Sequence, residues 1–342
     1  MVGSAGVTMR GTAREYDRPF QPVGAATPDP RLTVPAPASR SFGPPETALL
    51  LTLGAMWGCS FLFIELALRG MTPLWIVAAR TLVGGLVLLL VLRARGLRLP
   101  RSRRMWRHLV VLAAVNNAVP WGAVAWAQQS LPSGLAALLM AIVPTSTLVV
   151  AVAARQERFT AERLTGLLVA LGGVSLIVAA DLGDTGRLIA IAVVVAATLL
   201  YATGAVYAKM YVSGHHPALV IASGQVLSAF VLTLPVALVV EPLPTGDALA
   251  PIVVTAVLAL GTFGTGAAFL VYYVLIARVG ATNATMVTYL IPIVAVVAGA
   301  VVLGERLEPT ALAGGALIGL GIWLAQRRSV TEQVAPTEDV AA

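Results

Sequence analysis

The sequence predicts an all-α integral membrane protein of ten transmembrane helices, arranged as two inverted five-helix repeats. Three observations lead there. Charged residues make up 11% of the 342 residues, against about 25% in a soluble domain, too few to cover a water-facing surface. Apolar runs of about twenty residues recur along the chain, the length that crosses a bilayer core. Finally, "IVPTSTLVVAVAARQERF" at 142–159 is nearly rewritten as "LIPIVAVVAGAVVLGERL" at 290–307. An offset of 148 places Pro144 on Pro292, Val149 on Val297, Glu157 on Glu305 and Arg158 on Arg306.

Residues 1–45 are rich in Pro, Ala and Gly and have no apolar periodicity, which predicts a disordered tail. With no short apolar core and cleavage site at its start, this tail is not a signal peptide, and the first apolar run is a retained helix. Ten helices follow, at 46–68, 73–92, 106–127, 132–153, 161–180, 186–210, 216–240, 248–276, 281–303 and 308–326, then a short tail at 327–342. The first five form one repeat, 46–180, and the last five a second, 186–326. An odd number of helices per repeat inverts the second copy. The match continues past the duplicated stretch, with Leu164 on Leu312, Gly166 on Gly314 and Gly173 on Gly321. Between the first and sixth helices an offset of 144 places Trp57 on Tyr201, Phe63 on Tyr207, Glu65 on Lys209 and Pro73 on Pro217. Inverted repeats are a common way for secondary transporters to build one site that opens to either side.

Orientation follows from the basic residues. Nineteen of the 23 Lys and Arg fall on one side of the predicted topology, seven of them in the 93–107 gap, and three on the other. By the positive-inside rule both termini are cytoplasmic. The formal charge of +7 sits in these short gaps, so it argues for lipid headgroups rather than nucleic acid as its neighbour. There is no GxxxxGK[ST] motif for a nucleotide motor, so any work draws on gradients. The lone Cys59 allows no intramolecular disulfide. His108, His215 and His216 match no metal-ligand spacing, and no metal or cofactor is expected.

The order and spacing of these features resemble the EamA repeats of the drug/metabolite transporter superfamily. "GAMWGCSFLFIELAL" at 54–68 is similar to the opening of that family's first helix, and Arg80 in "AARTLVGG" to its second-helix arginine. The resemblance covers residues 46–326. It implies a secondary carrier of the bacterial inner membrane, with a cavity lined mainly by helices 1, 3, 4, 6, 8 and 9. It departs at Gly224-Gln225, where the second half would repeat Arg80.

Polar groups within lipid need partners or water, and ionisable ones mark function. Asn116 and Asn117 stand in mid-helix just before Pro120 and Trp121, and point about 100° apart, so at least one faces a neighbour or a cavity. Substrate orientation and plain helix–helix hydrogen bonding weigh about equally. Trp57, Ser60, Trp121, Tyr201, Tyr272 and Thr288 complete the candidate lining. Trp57 and Tyr201 could stack on or gate a ligand, with lipid-facing or packing as the alternative, and backbone bonding explains Thr288 equally well. Glu65 and Arg80 both lie near the outer side and could pair. Lys209 lies near the cytoplasmic end, where snorkelling to the interface explains it. Glu157, Arg158, Glu305 and Arg306 end their helices as stops or interface clamps. Gly54-xxx-Gly58 and Gly315-xxx-Gly319 permit close helix approach.

The expected function is export of amino acids or related small polar metabolites, by alternating access. The alternatives are a drug exporter, a membrane-embedded enzyme and a channel. An HExxH motif and paired intramembrane aspartates are missing, which argues against the enzyme. No filter signature supports the channel. A small-molecule substrate and the bilayer are the expected partners, and the chain is taken as a monomer with a homodimer open.

Overall fold

The computed structural model describes residues 43–326, and these form helices with no strand among them. Eight helices are long and apolar enough to cross a membrane. They are α1 (Pro44–Leu68), α2 (Pro73–Ala94), α3 (Arg103–Ala127), α4 (Ser133–Ala153), α5 (Ala161–Ala180), α6 (Thr185–Tyr211), α7 (Ala218–Val240) and α8 (Pro251–Val279). Two shorter apolar helices follow, α9 (Val287–Leu303) and α10 (Pro309–Gln326). The expected C-terminal tail, and the N-terminal tail up to residue 42, lie outside the described residues.

The helix starts obey local chemistry. Proline opens α1, α2, α8 and α10, where its missing N–H costs nothing and its fixed φ suits the helix. Ser102, Thr160 and Asp184 accept a backbone N–H three residues on, as N-caps do. At α2 the cap comes from a distant carboxylate. Glu241 accepts from the N–H groups of Leu74 and Trp75 at 3.1 and 3.3 Å and from the Thr72 hydroxyl at 2.5 Å. Outward-facing Leu86, Leu90, Leu168, Val239 and Val301 are more than half exposed, an apolar surface suited to lipid.

The expected helix ends hold to within three residues, but four helices are not continuous. A turn at Ala141–Ile142 splits α4 just ahead of Pro144, since proline cannot donate back into the preceding turn. The expected helix 281–303 divides into a short turn, Ala281–Ala284, and α9. In α3 the segment Ala114–Ala118 widens into a π turn, as do Thr262–Ala267 in α8 and Gly299–Leu303 at the end of α9. Such turns frequently occur at functional sites.

The packing follows small residues. Glycines set α1 against α9, where a Cβ on Gly54 would meet Leu290 at 2.7 Å and one on Gly58 would meet Val294 at 2.6 Å. Gly315 packs on Leu138, whereas Gly319 meets nothing within 4 Å, so only the first member of that expected pair makes a contact. The main remaining pairs are α1 with α8, α2 with α7 and α8, α3 with α6 and α7, α4 with α6 and α9, and α5 with α10.

Candidate functional site

A group of interior polar residues, Arg80, Asn116, Asn117, Gln225 and Thr265, gathers where α2, α3, α6, α7 and α8 meet, around the π turns of α3 and α8. Widening a turn shifts the residues after it around the helix axis and frees backbone groups. In α3 the turn carries Asn116 and Asn117, and in α8 it carries Thr265. Glycines 264 and 266 flank Thr265, and an added Cβ there would strike Ser60 or Val87.

Arg80 lies seven residues into α2, about 10 Å along the axis, and is 5% exposed. Its Nε and Nη2 both donate to the Thr265 hydroxyl at 3.3 Å. Its guanidinium carbon stands 3.8 Å from the centre of the Trp121 ring, a cation–π contact, and Tyr201 lies beside both. The expected pairing of Arg80 with Glu65 is not formed. Sequence fixes a residue's depth in the membrane but not its direction, and α2 turns Arg80 toward α3 and α8. Glu65 instead lies near Glu305 and Arg69, with Oε2 buried and without a hydrogen bond.

Asn117 is buried, and its Oδ1 accepts from Gln225 Nε2 on α7 at 2.5 Å. Asn116 turns the other way, against Gly204 of α6, where any Cβ would overlap its side chain. Its Oδ1 is buried and receives no donor. The adjacent amides therefore divide, one closing a structural contact and the other left with an open acceptor.

Trp57 packs on Tyr272 with ring centroids 5.2 Å apart, and Tyr273 and Phe269 continue that aromatic row along α8. The Ser60 and Thr288 hydroxyls donate to the carbonyls of Met56 and Thr285 at 3.0 and 2.7 Å, which leaves them only acceptor capacity. Trp57 and Tyr201 thus belong to separate aromatic groups. Lys209 is exposed near the end of α6, which suits snorkelling.

The four charged residues that end the repeated stretch behave differently. Glu305 accepts from the N–H groups of Ser133 and Gly134, at 2.8 and 3.1 Å, at the start of α4. Gly304, at φ +70°, turns the chain back to bring it there. Glu157, in the loop after α4, pairs with Arg163 of the first turn of α5 at 3.0 Å. Arg158 and Arg306 are exposed. Near Arg306 an open cleft of about 270 Å³ is lined by Asp181, Arg187 and Leu307, at the Glu305 end and apart from the Arg80 group.

Sequence reasoning missed Thr265 as a partner and noted Gln225 only as a departure from symmetry. The 148 offset could have found Thr265, since it maps Asn117 onto it.

The sequence matches the EamA-like transporter family over residues 46–179 and 188–326. It is 29% identical over 287 residues to a protein of Streptantibioticus cattleyicolor named "Probable terminal-alkyne amino-acid exporter", covering 83% of this chain and 93% of that one. It is 28% identical over 290 residues to a "Probable amino-acid metabolite efflux pump" of Salmonella typhimurium, covering 81% and 93%. A solved crystal structure shares the fold with a TM-score of 0.60 at 19% identity, over 82% of this chain and 96% of that one.

Proposed function

This chain belongs to the EamA-like transporter family, a membrane transporter, and on that premise we propose an exporter of amino acids or related small polar metabolites. It works by alternating access from the cytoplasmic membrane, with ten spans in two inverted repeats and both termini in the cytoplasm. The observation that carries the repeat is a pair of buried contacts. Arg80 on α2 meets Thr265 on α8, and Gln225 on α7 meets Asn117 on α3. Exchanging each helix for the one five places away, α2 for α7 and α8 for α3, turns one contact into the other.

The same exchange supports the reading elsewhere. An offset of 148 carries the π turn at 114–118 onto 262–266. It turns the packed pair α1·α9 into α6·α4, α1·α8 into α6·α3, and α2·α8 into α7·α3. Gly166 faces Gly321 while Gly173 faces Gly314, and exchange of the halves interchanges these contacts too. An inverted pair of this kind lets one cavity face either side in turn.

One pair breaks the exchange. Glu305 docks on the start of α4, but its counterpart Glu157 holds Arg163 instead. In this reading the Glu305 end is latched and the Glu157 end is not, so the arrangement is closed toward the outside. The transported molecule sits among Arg80, Trp121, Tyr201 and Asn116, with the Trp57–Tyr272 stack beside α8. The open Asn116 Oδ1 suits a donor such as an ammonium. The two named relatives support the amino-acid class.

Uptake into proteoliposomes tests the function, using labelled amino acids and cationic drugs with and without an imposed pH gradient. Saturable flux of at least one amino acid is expected, and its response to the gradient reads the coupling. Flux of the drugs alone would make the chain a drug exporter, and non-saturating conductance would make it a channel.

A further inference from the structure

We propose that Arg80 is the carboxylate-binding group of the transport site, so that the carried molecules are those bearing a free carboxylate; this rests on the carrier reading. The starting point is an imbalance of charge. A guanidinium in a membrane interior is costly unless paired, yet no carboxylate lies within ion-pair distance of Arg80 among the described residues. Among the described residues its one hydrogen-bond partner is a neutral hydroxyl, at 3.3 Å to each nitrogen, longer than the roughly 2.7–2.9 Å of a charge-assisted bond.

The geometry of what remains is specific. A guanidinium offers five N–H donors in a rigid fork. Thr265 takes the edge formed by Nε and Nη2, and Trp121 covers one face. Nη1 makes no hydrogen bond to the described residues, and with the second N–H of Nη2 it forms an edge that presents two parallel N–H groups to both oxygens of a carboxylate. The other half of the molecule supplies the contrast. In the exchanged contact α7 supplies Gln225, which is neutral and satisfied by Asn117 at 2.5 Å. Bridging these helices therefore needs only a neutral amide, and the charge with its free edge in the first half is left for a ligand.

The test compares acids with their neutralised forms, on the full chain. Labelled leucine, norvaline, phenylalanine and threonine are offered to proteoliposomes. Competition by the unlabelled acids is measured against competition by their primary amides and methyl esters. Binding of the same compounds is read separately, as a shift in the thermal midpoint of the detergent-solubilised protein. The expected result is that amides and esters compete at least about 10-fold less well than the acids, the scale of a lost charged hydrogen bond. Arg80→Gln abolishes the preference, and Arg80→Lys retains part of it. Equal competition by acids and amides in the unmodified protein would overturn the assignment while leaving a carrier. Binding of acids but not amides without flux would sink the carrier reading and leave Arg80 in its role. A panel in which no acid binds would overturn the assignment outright.

Discussion

Gly173→Val is expected to abolish most of the folded protein, while Gly172→Val, one residue away, leaves it nearly unchanged. The difference lies in what each new side chain meets. A Cβ at Gly173 would stand 2.5 Å from the Gly314 carbonyl oxygen and 2.9 Å from the Ile318 backbone nitrogen, both on α10. Neither is the end of a flexible side chain, so only separation of the two helices relieves the overlap. Separation would also strip the reciprocal contacts of Gly314 on Ile177 and of Gly321 on Ala170. In lipid, close packing through small residues is a main source of helix association, so the loss is not recovered by burial elsewhere. Overpacking of a tight core costs about 1–3 kcal/mol or more. At Gly172 nothing lies within 4 Å, and surface substitutions usually stay within about 0.5 kcal/mol. Both variants make the same change in helix propensity, so the contrast isolates the contact. Monodisperse yield after solubilisation and the thermal midpoint are the measurements. Equal behaviour of the two variants would contradict this packing of α5 on α10.

The second large effect is expected at Glu305. The first N–H groups of a helix lack intrahelical partners, and the helix dipole favours a negative charge there. The Glu305 carboxylate meets both demands at α4, through Ser133 and Gly134. Hydrogen bonds to charged groups contribute about 1.5–3 kcal/mol each, and roughly 1.4 kcal/mol shifts a two-state population about tenfold. Glu305→Ala should therefore shift the protein toward the state open at that end. The reporter is Ser133→Cys in a background with Cys59→Ser, since Ser133 is fully buried beneath the latch. Labelling from outside by a membrane-impermeant maleimide should rise at least about tenfold with Glu305→Ala. Glu157→Ala, whose parent residue engages only Arg163 in this state, should leave that rate unchanged. A rate indifferent to Glu305 would make the carboxylate a static cap.

Much of the helical architecture was legible because length and apolar composition carry it, and the positions of the long helices required nothing more. Rotation about each helix axis was not legible. Arg80 and Glu65 were matched by depth, but α2 presents Arg80 to Trp121 and Thr265. The π turns escaped as well, because no local residue demands them and the pairing of Asn117 with Gln225 across helices accompanies the widening. Glu305 reads from sequence, with Glu157, Arg158 and Arg306, as a stop or an interface clamp, with nothing local to choose between them. Which backbone it clamps depends on the return of the chain at Gly304, and that is a tertiary fact. Thr265 carries no local signal, and only the 148 offset, which sets it opposite Asn117, marks it.

Counterflow reads directly whether one site is exposed to each side in turn. Proteoliposomes loaded with a high concentration of an unlabelled amino acid are diluted into a trace of the labelled one, with no ion gradient present. An alternating-access carrier brings label in as it takes the unlabelled compound out, so the account predicts a transient accumulation of label above its equilibrium level. Label that rises to equilibrium without overshoot, at a rate indifferent to the internal load, would contradict it.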